Sequence, residues 1–217
     1  MKERYVIEFY NHTKKDFDDV WNIEYNYLEQ ETISSVEQVM LWDRKNRDIH
    51  IFVRDAIFDC IVGEMTLLPL TDKQFIDFMK NELSDTELNY KSLEAYEDNN
   101  TYNLLISAVA IDKKYRGDKL VLSYLLKGMN KKINDLMSRG IKFKNMCAEG
   151  QTLDGQKFIK NFLNLKEKCI TKEGYKLYSF DDEKEILKWY EKFPVYIEEY
   201  DRKRVMEAYN ELSNNSF

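Results

Sequence analysis

Ile106-Ser-Ala-Val-Ala-Ile111 is an apolar run that passes through a basic turn, Asp112 to Lys119, straight into a helical pattern ending at Ser138. A strand that enters a long helix through so short a turn commits this part of the chain to a layered α/β arrangement. Such a turn also aims several backbone N–H groups and the positive end of a helix dipole at one spot. That arrangement binds phosphate without a metal.

The segments on either side extend the pattern. Tyr5 to Phe9 reads as a short strand, and Thr13-x-x-Asp16 offers a capping-box start to a helix with Phe17, Val20, Trp21 and Leu28 on one face. Ser34 or Ser35 opens a second helix. Ile49 to Val53 and Cys60 to Leu68 are rich in β-branched residues and suit an antiparallel hairpin, with Pro69 ending its second strand. Thr71-x-x-Gln74 caps a helix carrying Phe75, Phe78, Met79 and Leu83, and a polar run leads on to Asn100. Tyr102 to Ile111 is the strongest strand, and Lys119 to Ser138 a helix stopped at Arg139-Gly140. Ile141 to Ala148 is again strand-like, and Thr152 or Asp154 begins a short helix through Phe162. Lys166 to Thr171 and Tyr175 to Phe180 form a closing hairpin around Gly174. Beyond Phe180 two helical patterns flank Pro194. This order predicts an α/β (α+β) fold with a mixed, mostly antiparallel central sheet flanked by helices. The expected division is a domain over 1–180, with 71–101 inserted in it, and a helical C-terminal extension over 181–217.

Composition removes several function classes. With 33 Lys and Arg against 39 Asp and Glu the net charge is −6, whereas affinity for phosphate backbones comes from clustered cations, so no nucleic-acid partner is expected. Only His12 and His50, and three scattered cysteines, argue against a metal site. Cys60, Cys147 and Cys169 read as buried reduced thiols. No window approaches a membrane span and the N-terminal residues lack an uninterrupted apolar run, so the expected location is cytoplasmic, with no membrane partner.

Three pieces of the chain resemble the GNAT superfamily of N-acetyltransferases, over roughly Tyr5 to Phe180. Ile61-Val62-Gly63 is similar to the opening of the family's third strand. Val109-Ala-Ile-Asp-Lys-Lys-Tyr-Arg-Gly-Asp-Lys-Leu-Val121 resembles its acetyl-CoA segment, and Ala148 to Leu165 its late strand and short helix. The resemblance implies acetyl-CoA as co-substrate and a small-molecule or peptide amine as acceptor. Backbone groups of Val109, Ala110 and Ile111 would meet the pantetheine arm, with an N–H near Val109 polarising the thioester carbonyl. Arg116, Gly117, Asp118, Lys119, Leu120 and Val121 would surround the pyrophosphate, held by amides from Leu120, Val121 and their predecessors. The strand before the turn would splay from Ile141–Ala148.

This sequence departs from the family pattern where Lys119 stands for the usual Gly and Val121 for Gly or Ala, side chains that would crowd the cofactor. Leu105 falls where a catalytic glutamate is common, and Ile159 or Lys160 where a tyrosine is common. Position along the strands offers Glu64, Ser107 and Glu149 as substitutes for acid–base work. Tyrosine cannot be narrowed by type, since the chain has 15. The insertion and the extension either cover an acceptor pocket, or pad the sheet and make a homodimer contact. Two rivals to an acetyltransferase stand beside it: a non-catalytic binding protein of the same fold, and an α/β interaction module.

Overall fold

The computed structural model describes residues 3–28, 32–182, 184–194 and 197–199. Strands β1 (Tyr5–Glu8), β2 (His50–Asp55), β3 (Cys60–Leu70), β4 (Thr101–Ile111), β5 (Lys142–Gly150), β6 (Lys166–Ile170) and β7 (Lys176–Ser179) form one sheet in the order β1-β2-β3-β4-β5-β7-β6. Every neighbouring pair is antiparallel except β4 and β5, which are parallel. Parallel neighbours need a crossover, and the helix α4 (Lys119–Ser138) supplies it. The mixed, mostly antiparallel sheet flanked by helices is the one expected from the sequence.

Local signals explain the helix starts. Thr13 and Thr71 form reciprocal capping boxes with Asp16 and Gln74, opening α1 (Lys14–Tyr25) and α3 (Asp72–Met79), while Ser35 caps α2 (Val36–Lys45). Gly140 follows the end of α4 at φ +78°, a left-handed position that costs glycine little. The short helix α5 (Leu153–Phe158), capped by Thr152, runs into a π turn over Ile159–Leu163 and ends at Asn164, also left-handed.

Pro69 does not end β3, which runs on to Leu70. The Leu67 N–H donates to Ile49 O on the β2 side, and Pro69, two residues along, faces the same side. There β2 has already ended, because its last paired residue is His50 opposite Thr66. The missing N–H of proline therefore leaves no ladder bond unmade.

The sheet is covered on both faces. Ile51 and Phe52 show the alternation: Ile51 meets α4, and Phe52 joins Phe17, Val20 and Ile23 of α1 in a second core. On α4 Val121, Leu125, Leu126, Met129 and Leu136 are fully buried, each contributing about 1.5–3 kcal/mol. Contact with the sheet is closest at Gly128, where a Cβ would lie 2.5 Å from Ile51 Cγ2 and 3.1 Å from Ile7 Cγ2. An exposed helical Gly→Ala change gains about 1 kcal/mol. Gly128→Ala should instead cost about 1–3 kcal/mol by overpacking, measured by urea unfolding; a stabilised variant would show that α4 is free to ride away from β2.

The segment 184–194 is helical and packs Ile186, Trp189 and Phe193 into the main core, with Trp189 Nε1 donating to Phe162 O. Val205, Tyr209 and Leu212, expected to continue a helical tail, lie outside the described residues. All three cysteines are free thiols. No helix among the described residues is long and apolar enough to cross a membrane.

Candidate active site

The site begins where two parallel strands part. Pairing of β4 with β5 runs from Thr101↔Lys142 to Ile106↔Ala148 and stops, while both strands continue. Past that point β5 pairs only with β7, and Val109 to Ile111 pair only with β3. One cause is a bulge. Thr66 faces Ala108 and Leu67 faces Ile106, so Ser107 has no opposite residue, and the local twist it adds turns β4 away. The first residues beyond the last paired rung are therefore Ser107 on one strand and Glu149 on the other.

A cavity of about 720 Å³ opens at this split. It reaches Leu122 on the α4 side and Val20, Glu24, Val39 and Trp42 on the α1–α2 side, so it passes through the sheet. All three residues expected to do acid–base work, Glu64, Ser107 and Glu149, line it, as do Val109, Ala110, Ile111 and Arg116. Residues 81–87 of the insertion wall it as well. Among the described residues the segment after Phe180 contributes nothing to the lining, whereas the insertion does.

The lining is acidic, with eight carboxylates against the two cations Arg116 and Lys172. Burial raises the carboxyls that matter most. Glu24 is pushed up to about 8 by desolvation, with the Asp85 charge adding to it. Glu64, 2% exposed, is held well above the carboxylate range by desolvation and then by Glu24. Asp85 is raised by desolvation, against the opposing hydrogen bond that Ser107 Oγ donates to its Oδ2 at 2.6 Å. Glu149 is raised by desolvation although Gln151 Nε2 donates to its Oε1 at 2.7 Å. Beside them His50 is driven down to about 3, first by its burial, and its Nδ1 lies 3.0 Å from Thr66 Oγ1. It is neutral and adds no positive charge. Glu24 and Asp85 were not among the expected site residues.

The turn before α4 differs from expectation. Asp118 is the N-cap residue, and its carboxylate accepts the Leu120 N–H at 3.0 Å and the Tyr5 hydroxyl, with Arg4 at 3.9 Å. The Asp118 and Val121 amides donate to the backbone oxygens of Tyr115 and Asp118. Leu120 and Val121 therefore do not present unengaged amides, which corrects that expectation; an aspartate at this position is itself a strong helix cap and takes the role an anion would have. Val121 crowds nothing in the cleft. Its side chain is buried under α4, where a Cβ on Gly63 would come within 2.9 Å of Val121 Cγ1. Gly63 thus makes the room that the Val121 side chain occupies. Lys119 and Gly117 are exposed on the turn. The Arg116 guanidinium stacks 3.8 Å above the Tyr27 ring and lies 3.8 Å from Asp154.

The split and its cavity fit a pantetheine arm with a thioester. At the turn a diphosphate would have to displace the Asp118 carboxylate from the Leu120 amide. Among the described residues no group of three or more His, Cys, Asp or Glu is arranged to hold a metal ion.

No protein-family model matches the sequence, and no curated protein matches it. Solved structures do. The loading GNATL domain of CurA from Lyngbya majuscula aligns with a TM-score of 0.56 at 14% identity, over 83% of this chain and 98% of that one. An N-acetyltransferase from Staphylococcus aureus Mu50 gives 0.51 at 12%, over 83% and 99%. A chain of the NatC complex bound to Gag peptide and CoA gives 0.52 at 7%, over 82% and 96%. Identities this low speak for architecture alone, and the parted β4–β5 pair beneath α4 agrees with them: the chain has the fold of the GNAT N-acetyltransferases.

Proposed function

We propose that this chain transfers an acetyl group from acetyl-CoA to a cationic amine. The observation that carries the proposal is the parting of β4 and β5 at Ser107 and Glu149, directly over an acidic cavity. A similar chain belongs to the NatC complex, whose structure is bound to Gag peptide and CoA. Val109 to Ile111, unpaired on the β5 side, would hold the pantetheine arm, and residues 116–121 the diphosphate. When bound, the cofactor supplies a thioester carbonyl carbon as the electrophile.

The chain's own residues do the rest. The lining carboxylates that stay ionised concentrate ammonium ions in the cavity. An ammonium has no lone pair, so one proton has to leave before the nitrogen attacks. Glu149, at the apex of the split, would take it, with Asp85, held by Ser107, as the second acceptor; the C–N bond then forms, the C–S bond breaks, and that proton passes to the departing CoA thiolate. A carboxyl raised by burial is better matched to an amine than a solvated one, because the proton then moves between groups closer in basicity. Burial also keeps competing water low.

Thiol release from acetyl-CoA across a panel of primary amines tests the proposal, alongside thermal unfolding with the cofactor alone. Glu149→Gln should lower kcat about 100-fold and leave the thermal shift unchanged. A thermal shift with no thiol release for any amine would support the binding-protein reading, which the carboxylate on the α4 cap and the non-ionisable Leu105 favour. No shift and no release would refute both.

A further inference from the structure

The inner end of the cavity holds two carboxyl groups beyond those at the apex, Glu24 and Glu64. Glu64 projects from β3, its Cα opposite Ala110, and lines the cavity on the α1 side rather than at the apex. It is 2% exposed, and its Oε1 has no hydrogen-bond partner among the described residues. A buried carboxylate oxygen left unpaired costs stability, so the position asks for a donor from outside the chain. Glu24 of α1 lines the same end. Among the described residues neither forms an ion pair, and the charges acting on the two are those of other carboxylates, Asp85 on Glu24 and Glu24 on Glu64. Arg116 is engaged elsewhere, over Tyr27 and beside Asp154.

Resting on the reading of the site as an amine acetyltransferase, we infer that the acceptor is a diamine or polyamine, whose second ammonium is held between Glu24 and Glu64 while the first reacts at Glu149 and Ser107. An ammonium carries three donors, which suits two carboxyl groups from different elements. A compact ammonium on a flexible methylene stem also matches a cavity whose lining on the α1–α2 side includes the apolar Val20, Val39 and Trp42. The substrate class is then two cations joined by an alkyl chain, one at the apex and one at the Glu24–Glu64 pair.

Isothermal titration calorimetry on the intact chain without cofactor tests this, comparing 1,4-diaminobutane and longer α,ω-diamines with 1-aminobutane, and including calcium chloride as a competitor. At least one diamine should bind about tenfold or more tighter than the monoamine. Glu64→Gln should reduce that diamine to the monoamine level while leaving the monoamine within about twofold; Glu24→Gln provides a second variant on a different element. Equal binding of diamines and monoamine, a preference that survives both substitutions, or displacement by calcium at equal concentration would overturn the inference. The two readings separate cleanly. Acetylation of monoamines as fast as diamines leaves the acetyltransferase and removes the second-ammonium site, whereas tight diamine binding without thiol release does the reverse.

Discussion

Asp118→Ser should raise the affinity for CoA about tenfold or more. The Asp118 carboxylate lies on the Leu120 amide at the start of α4, where the helix dipole and the turn would receive a diphosphate. Two like charges about 4 Å apart near a surface repel by up to about 4 kcal/mol at an effective dielectric of 20, and screening leaves a fraction of that. A tenfold gain needs about 1.4 kcal/mol. Serine is chosen because it still caps the helix, so the loss of stability should stay within about 1 kcal/mol, mostly from the Tyr5 and Arg4 contacts. Calorimetric titration with CoA checks the first figure and urea unfolding the second. An unchanged affinity would place the diphosphate, if one binds, away from the α4 cap.

The second large effect is on stability. In the unfolded chain Glu24 and Glu64 ionise in the ordinary carboxylate range, near 4.3. In the fold they keep their protons to higher pH, Glu24 to about 8. Where the folded state binds more protons than the unfolded state, stability falls as pH rises. Their contribution is thus complete below about pH 4 and is lost progressively as pH rises from there, up to about 8 for Glu24, at no more than about 1.4 kcal/mol per pH unit per group. Asp16, Asp48 and Asp55, all lowered overall although burial pushes each of them up, act in the opposite sense and are lost in acid. Against that burial act the Thr13 N–H and then Arg54 for Asp16, Arg139 and then Lys132 for Asp48, and the Ile57 N–H and then Arg4 for Asp55. The optimum should therefore fall near pH 5, with a decline toward 8. Glu64→Gln removes one of the two groups from the balance and should be more stable than the parent at pH 8, by no more than about 1.4 kcal/mol for each pH unit above the ordinary carboxylate range, and much closer to it at pH 5. Urea unfolding at the two pH values measures this. Equal stability of parent and variant at pH 8 would mean that Glu64 ionises normally and that the inner cavity is wet.

Much of the architecture was legible because local and global signals agree. The capping boxes at Thr13 and Thr71, the strand into α4 and the Gly140 stop are all short-range chemistry, and the structure keeps each of them. The run of β3 past Pro69 was not legible, because it depends on where β2 happens to end. Nor was the placement of β7 between β5 and β6, since a hairpin does not say which of its strands joins the sheet.

The site divides in the same way. Glu64, Ser107 and Glu149 could be chosen from strand position, and the structure brings all three to one cavity. Glu24 left a signal that went unread: Phe17, Val20 and Leu28 define an apolar stripe, and position 24 is the member of that stripe occupied by an acid. Asp85 left none, lying in a polar stretch where one carboxylate resembles the next. Asp118 was counted with the phosphate-facing residues, but residue type alone marks it as a helix cap, and whether a cap or a ligand takes the Leu120 amide is decided by a side-chain rotation.

The most direct test of an acyl-transfer site at the β4–β5 split is thiol release from acetyl-CoA by the parent chain and by Asp118→Ser, with and without 1,4-diaminobutane. The expected result is amine-dependent release by both, faster in the variant at low cofactor concentration and reduced about 100-fold by Glu149→Gln. Absence of release from either chain, together with no thermal stabilisation of either by acetyl-CoA, would contradict it.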